Sequence, residues 1–221
     1  AVDPSTLCPL CDKPFPRHPS HRLCQMLHEV KLISKPDPRP ENSMGLLLPT
    51  IQRAPFCARH QFERDEIPKA LYANWKTEID FKDVERRLET FQTKFDGLVN
   101  DHAPGGAREL SVFWSKAMSN AAENSLKSQG LAGNMTTFKS GQVGYYGEQG
   151  LRVIDKVLRR IVTIPEGSTN PLTEQQFIAF VLTPEAAVFL IAADLNMNRD
   201  DAVRTMYDSS TYGNQMFPVE D

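Results

Sequence analysis

Cysteine is scarce in this chain, and what there is does not pair off. There are four cysteines in 221 residues. Three fit one pattern and Cys24 is left over, and an odd thiol argues against a disulfide framework and for a reducing compartment such as cytosol or nucleus. Long apolar runs are lacking as well. None approaches the roughly 18 residues that cross a bilayer, so a membrane span is not expected. No charged-then-apolar segment opens the chain, so no secretory leader is read there. The chain begins Ala1-Val2-Asp3-Pro4, and we read it as an excised domain. Catalytic signatures are missing too: there is no His-Glu-x-x-His, no deaminase His/Cys-x-Glu with Pro-Cys-x-x-Cys, no Gly-x-Ser-x-Gly, no Walker loop and no dinucleotide fingerprint. No enzyme is expected.

Net charge is small, at −3, but it is unevenly spread. Residues 13–60 carry eight Lys/Arg against three Asp/Glu, or +5, while residues 161–221 carry two against nine, or −7. Residues 1–12 give −2 and 61–160 give +1, which closes the sum. A basic front permits contact with an anionic partner. The blander reading is a solvated surface.

What is present is Cys8-Pro9-Leu10-Cys11 and Cys57-Ala58-Arg59-His60. Each pair has the two-residue gap that lets both side chains face one metal, and a three-Cys, one-His set suits tetrahedral Zn²⁺. Four ligands leave no position for water, which points to a structural zinc rather than a catalytic one. Cys24, His21 or His28 could replace one of the four. Cys24 and His28 fall at i,i+4 on a short helix; a nucleophile is one reading and a small buried thiol the plainer one.

Residues 1–7 read as a tail, 8–75 as a zinc-stabilised lobe, 76–213 as a helical body and 214–221 as a second tail. Ser20 caps an expected helix to Leu32, with Leu23, Met26, Leu27 and Val30 on one stripe. The prolines of Lys35 to Gly45 exclude helix and central strand, leaving an extended loop. Cys57 and His60 are placed at the start of a helix reaching Trp75, broken at Pro68, with Arg59, Glu63, Arg64, Asp65 and Glu66 on an exposed face. From Asp80 to residue 101, Phe81, Val84, Leu88, Phe91, Phe95 and Leu98 form an a/d stripe, read as packing within the chain rather than as a dimer seam. Further helices are expected over 107–128 (Leu110, Phe113, Trp114, Ala117, Met118 and Ala121 inward) and 148–163. Another is expected from the Thr173–Gln176 capping box to Leu182, with a restart capped by Thr183. The stretch 184–195 is apolar almost all round and should be central, and a short helix capped by Asn198 should cover 199–208. A loop over 129–147 ends in Tyr145-Tyr146, read as a stacking pair or, more plainly, as an anchor on the core. The fold class is mostly α: a helical bundle with an N-terminal loop-rich lobe stapled by a structural zinc site.

Four stretches resemble one family in order: Cys8-Pro-Leu-Cys11; the Pro38-Arg39-Pro40 to Gly45 loop; Phe56-Cys-Ala-Arg-His60 with Glu63; and Gly144-Tyr-Tyr-Gly-x-x-Gly150. Pro184-Glu185-Ala186, Leu190-Ile191, Asp194-Leu195 and Tyr212-Gly213 extend the match over about 8–213. The chain resembles the domain of fungal proteins related to restriction of telomere capping protein 4. It departs at Asn74-Trp75-Lys76, where the family tends to show Gly-Trp-Pro, which puts that turn in doubt. The resemblance implies telomere or chromatin biology and a nuclear setting, with the cytoplasm as a second location. Two functions are carried forward. The first is a non-enzymatic scaffolding module contacting nuclear or chromatin proteins, a homodimer included. The alternative is a nucleic-acid-binding module, with Lys13, Arg17, Arg22, Arg39 and Arg59 (and Lys31, Lys35 and Arg53 beside them) on phosphates and Tyr145 and Tyr146 stacking on bases.

Overall fold

The structure, a computed structural model, describes residues 3–101, 103–126 and 142–219. Most of the expected 129–147 loop therefore lies outside the described residues. The chain forms two compact units, Ala1–Asn74 and Trp75–Asp221.

In the first unit, helix α1 (His21–Ile33) is capped by Ser20, whose hydroxyl accepts from the Leu23 N–H. Such a cap is worth about 1 kcal/mol. Leu23 and Val30 are buried, and Met26 and Leu27 pack beside them on Leu10, Leu48 and Phe56. The proline-rich loop is closed by a two-residue hairpin, β1 (Lys35–Pro36) against β2 (Leu46–Leu47). Helix α2 (Thr50–Tyr72) packs on α1. It starts seven residues before Cys57 and runs through both Pro55 and Pro68. Both prolines are exposed on the helix surface, so the carbonyls they leave without donors can turn to water. The expected break at Pro68 is absent. α2 ends before Trp75, and Asn74 takes φ +56°. That is the left-handed conformation glycine adopts most easily and asparagine next, which explains Asn where the family shows Gly. Within the expected tail at 1–7, residues 3–7 are ordered: a 3₁₀ turn at Pro4–Thr6 is capped by Asp3, and Leu7 bridges to Pro14.

The second unit is a helical bundle. Asp80 caps α3 (Phe81–Thr90), which is followed by α4 (Gln92–Asn100). The single helix read from the sequence is thus two. Thr90 Oγ1 donates to the Arg87 carbonyl at 2.6 Å, the acceptor Phe91 would have used, and the Phe91 N–H turns to Leu88 instead. The apolar stripe survives the break: Val84, Leu88, Phe95 and Leu98 are buried, and α3 packs on later helices of the same unit. Helix α5 (Val112–Leu126) begins later than expected, leaving Leu110 69% exposed rather than inward. Helix α6 (Gly147–Ile161) buries Ile154, Val157 and Leu158.

The capping box at Thr173 and Gln176 opens α7 (Glu174–Phe177), which runs through a π turn (Ile178–Leu182) into α8 (Thr183–Leu195). Thr183 is helical rather than a cap, and its buried hydroxyl has no hydrogen-bond partner among the described residues. Its N–H reaches the Ile178 carbonyl instead, so the helix widens to pass Pro184, which has no N–H to give. The run Glu174–Leu195 is consequently long and apolar enough to cross a membrane by length and composition, contrary to the reading of short apolar runs. It is mostly buried in the bundle, as a central core helix would be. Helix α9 (Arg199–Met216), capped by Asn198, extends eight residues past the expected end. Ser209 and Ser210 do not stop it, because their hydroxyls donate back to Thr205 and Met206 carbonyls at 2.6 and 2.7 Å. The last turn of α9 and Phe217, which packs edge-on to Phe81 at 5.9 Å, replace the start of the expected C-terminal tail.

α9 lies directly on the 3₁₀ turn Gly144–Tyr146. Gly147 takes φ +64°, and a Cβ on Gly213 would fall 2.2 Å from the Gly144 carbonyl oxygen. No side chain fits between these backbones. Gly213→Ala is expected to destabilise the second unit by about 2–3 kcal/mol, read as an earlier urea midpoint at unchanged m-value.

Candidate metal centre

The Cys8–Cys11 segment forms a tight turn. The Cys8 N–H donates to the Lys13 carbonyl at 2.8 Å, and the Asp12 N–H returns to the Cys8 carbonyl at 3.0 Å, with Asp12 at φ +59°. The proline-rich loop holds this turn in place. Arg39 donates to both Asp12 carboxylate oxygens at 2.8 Å and to the Pro9 carbonyl at 2.7 Å, and also pairs with Asp37. This guanidinium holds the Asp12 carboxyl below its ordinary range. Asn42, fully buried, donates to the Cys8 carbonyl at 3.1 Å and to Asp12 at 2.8 Å.

The second pair comes from α2, where Cys57 and His60 stand one turn apart. His60 is fully buried between Phe15 and Phe56, at ring distances of 5.7 and 5.8 Å. Its Nε2 lies 3.2 Å from Cys11 Sγ, and its Nδ1 is buried without a hydrogen-bond partner among the described residues. Two phenyl rings thus fix the imidazole, a task more often done by a hydrogen bond to the outer nitrogen.

The donor atoms of Cys8, Cys11, Cys57 and His60 all lie within 4.8 Å of one another. A zinc ion with ordinary Zn–S and Zn–N bonds needs tetrahedral edges of about 3.5–3.8 Å. The four residues fit a metal ion with only small side-chain adjustments. Cys8 donates to the Cys57 sulfur, and that bond together with burial pushes Cys8 up to about 12. Accepting it holds Cys57 below its ordinary value, and burial raises Cys11. Crowded, desolvated thiols resist losing their protons; a cation at their centre would reverse that cost.

Below the site, Glu63 is buried, although the sequence reading put it on an exposed face. Its carboxylate accepts from the Ser20 N–H at 2.8 Å, from the Ser20 hydroxyl and from Arg59 Nε at 2.6 Å. It therefore ties the start of α1 to α2.

The profile of the RTC4-like domain matches residues 106–218, half of the chain. The chain belongs to the RTC4-like domain family. The family segment lies in the second unit and takes in Tyr145, Tyr146, Glu185, Asp194 and Gly213; the metal cluster lies ahead of it, although the resemblance had been drawn from residue 8. No curated protein and no solved structure matches the chain.

Within the family segment, the glycine-tyrosine motif has a packing role. Tyr145 and Tyr146 are 0% and 1% exposed, with rings 4.9 Å apart. Both hydroxyls donate to one Asp194 carboxylate oxygen, at 2.7 and 2.5 Å, while Arg87 meets the other at 2.9 Å. Burial and the neighbouring charges push both phenols above their ordinary pKa, so they remain neutral donors. Base stacking needs an exposed ring face, and these two present none; the expected nucleic-acid contact at Tyr145 and Tyr146 is overturned.

The basic positions divide. Arg39 and Arg59 are engaged within the first unit and are not free for phosphate, contrary to expectation. Lys13 is exposed and donates to Gln61 at 3.0 Å, and Arg17 and Arg22 are exposed. Cys24 is exposed, not the buried thiol expected.

The sequence reading missed the anchors of the second unit. Asp194 stands in the family match, but the sequence assigns it no role. Buried Arg108 donates to the Leu98 and Val99 carbonyls at the end of α4 and to Ser168 at 2.6 Å, beneath the rings of Trp114 and Phe177. Buried Glu185 accepts from Ser111 at 2.5 Å and from Arg199. An isolated acid within an apolar run, as at Glu185, is the signal that could have flagged it.

Proposed function

We propose that this chain is a non-enzymatic, zinc-stabilised interaction module that acts in the nucleus by contacting chromatin- or telomere-associated proteins. Zinc is the metal because three thiolates and one imidazole form a borderline-soft, four-donor set. Four protein donors leave no open position for an activated water, which supports a structural rather than catalytic ion. Membership of the RTC4-like family supports the telomere and chromatin setting.

The observation that carries the choice of protein over nucleic acid is what the first unit leaves outside. Leu32, Ile33, Leu47 and Ile51 are 72%, 62%, 58% and 84% exposed, while Arg39 and Arg59 are turned to internal carboxylates. Exposed apolar side chains of this size favour a protein partner. The tyrosine pair, buried, supplies no stacking platform.

The test is fluorescence anisotropy of labelled duplex DNA with the zinc-loaded chain across a salt series. No binding at low salt is the expected result. Tight binding that weakens steeply with salt would replace this reading with the nucleic-acid one. A pull-down from nuclear extract would then name the protein partners.

A further inference from the structure

Three metal-seeking side chains lie outside the cluster already described. His21, Cys24 and His28 are exposed on α1, on the stripe opposite the buried Leu23 and Val30. They share one open face of α1 with Gln25 and Glu29. None of the three makes a side-chain hydrogen bond or ion pair among the described residues, and Cys24 is a free thiol. Their donor atoms are therefore available.

Helix geometry selects which two act together. Residues four apart lie about 40° apart around the axis and one turn along it, so Cys24 and His28 are neighbours. Helical side chains lean toward the N-terminus. His28 therefore leans back over Cys24, while His21 lies on the other side of Cys24, three residues back and about 60° round the axis. A thiolate and an imidazole side by side make a bidentate clamp for a borderline-soft cation, and two protein donors leave the remaining positions to water. We propose that Cys24 and His28 form a second, weaker metal site, taking Zn²⁺ or a like thiolate-seeking divalent cation. It shares no residue with the Cys8, Cys11, Cys57 and His60 cluster and does not rest on that cluster being filled.

The test is alkylation of Cys24 in the zinc-loaded full chain, followed peptide by peptide by mass spectrometry, with and without micromolar free Zn²⁺. A metal-held thiolate is a poor nucleophile, so added zinc should slow Cys24 labelling roughly tenfold. His28→Ala should abolish that protection, while His21→Ala should keep most of it. Equilibrium dialysis should find one more zinc per chain in the wild type than in His28→Ala or Cys24→Ser. The altered side chains are exposed, so these variants are expected to fold normally. Unchanged labelling with zinc, or protection that survives His28→Ala, would overturn the site. The tightly held zinc counted in the same dialysis reports separately on the Cys8 cluster.

Discussion

Cys57→Ser is expected to unfold the first unit and leave the second standing. The residues that meet around the four donors are far apart in sequence, and the loop between the two ligand pairs packs chiefly onto the Cys8–Cys11 turn through Arg39 and Asn42. Structural zinc is worth about 10–16 kcal/mol in small domains. That equals or exceeds the whole stability of a typical domain, about 5–15 kcal/mol, so losing one thiolate cannot be absorbed by the small core around Leu10, Leu23 and Phe56. Hydrogen exchange on the full chain should show α1 and α2 amides losing protection while those of α6, α8 and α9 keep theirs. The same pattern should follow chelation of the wild type. It should also follow acidification. Metal-bound thiolates titrate below free thiols, so their contribution is present at higher pH and lost as pH falls and protons displace the ion. A first unit that stays protected after chelation would show that metal does not hold it.

Asp194→Ala is expected to cost the second unit about 3–5 kcal/mol, as does removing one partner of other buried ion pairs. The substitution removes the shared acceptor of three donors at once. Two buried phenols lose the carboxylate they both donate to, and Arg87 loses its carboxylate while keeping the Leu190 carbonyl at 3.3 Å. The intact fold covers both phenols, since Tyr145 and Tyr146 are 0% and 1% exposed under α9. Asp194→Asn should cost less, since its amide oxygen still accepts. Urea unfolding followed by tryptophan fluorescence measures this unit specifically. The chain has two tryptophans, Trp75 packed on Tyr212 at 5.6 Å and Trp114 on Phe177 at 5.8 Å, and both lie in the second unit. A loss below about 1 kcal/mol would mean that the network carries no more than an ordinary hydrogen bond.

Ligand spacing, capping residues and apolar periodicity are local properties, and each could be read directly. Two residues between donors predicted the metal pairs; Ser20, Asp80, Thr173 and Asn198 each cap the helix they were expected to cap. The errors fell where one local signal was countermanded by another group. Thr90 took the carbonyl that would have kept one helix from becoming two. A π turn carried a helix through Pro184, where Thr183-Pro184-Glu185 reads as a start. The last helix runs past the expected end at 208, where Ser209 and Ser210 bond back into α9.

From its sequence alone, this protein's helical class, the four residues that could hold a metal and its family could be read, because each depends on residue types at fixed short spacings. Which charges lie inside was settled only in three dimensions. Glu63 and Asp194 are carboxylates no different in sequence from those on a solvated surface, and Glu185 stands out only by the apolar run around it. They are buried because Ser20, Ser111, Arg199, Arg87 and two tyrosines from distant segments arrive to satisfy them. A pairing between distant segments leaves no periodicity in the chain, so it becomes visible only once the fold has brought the partners together.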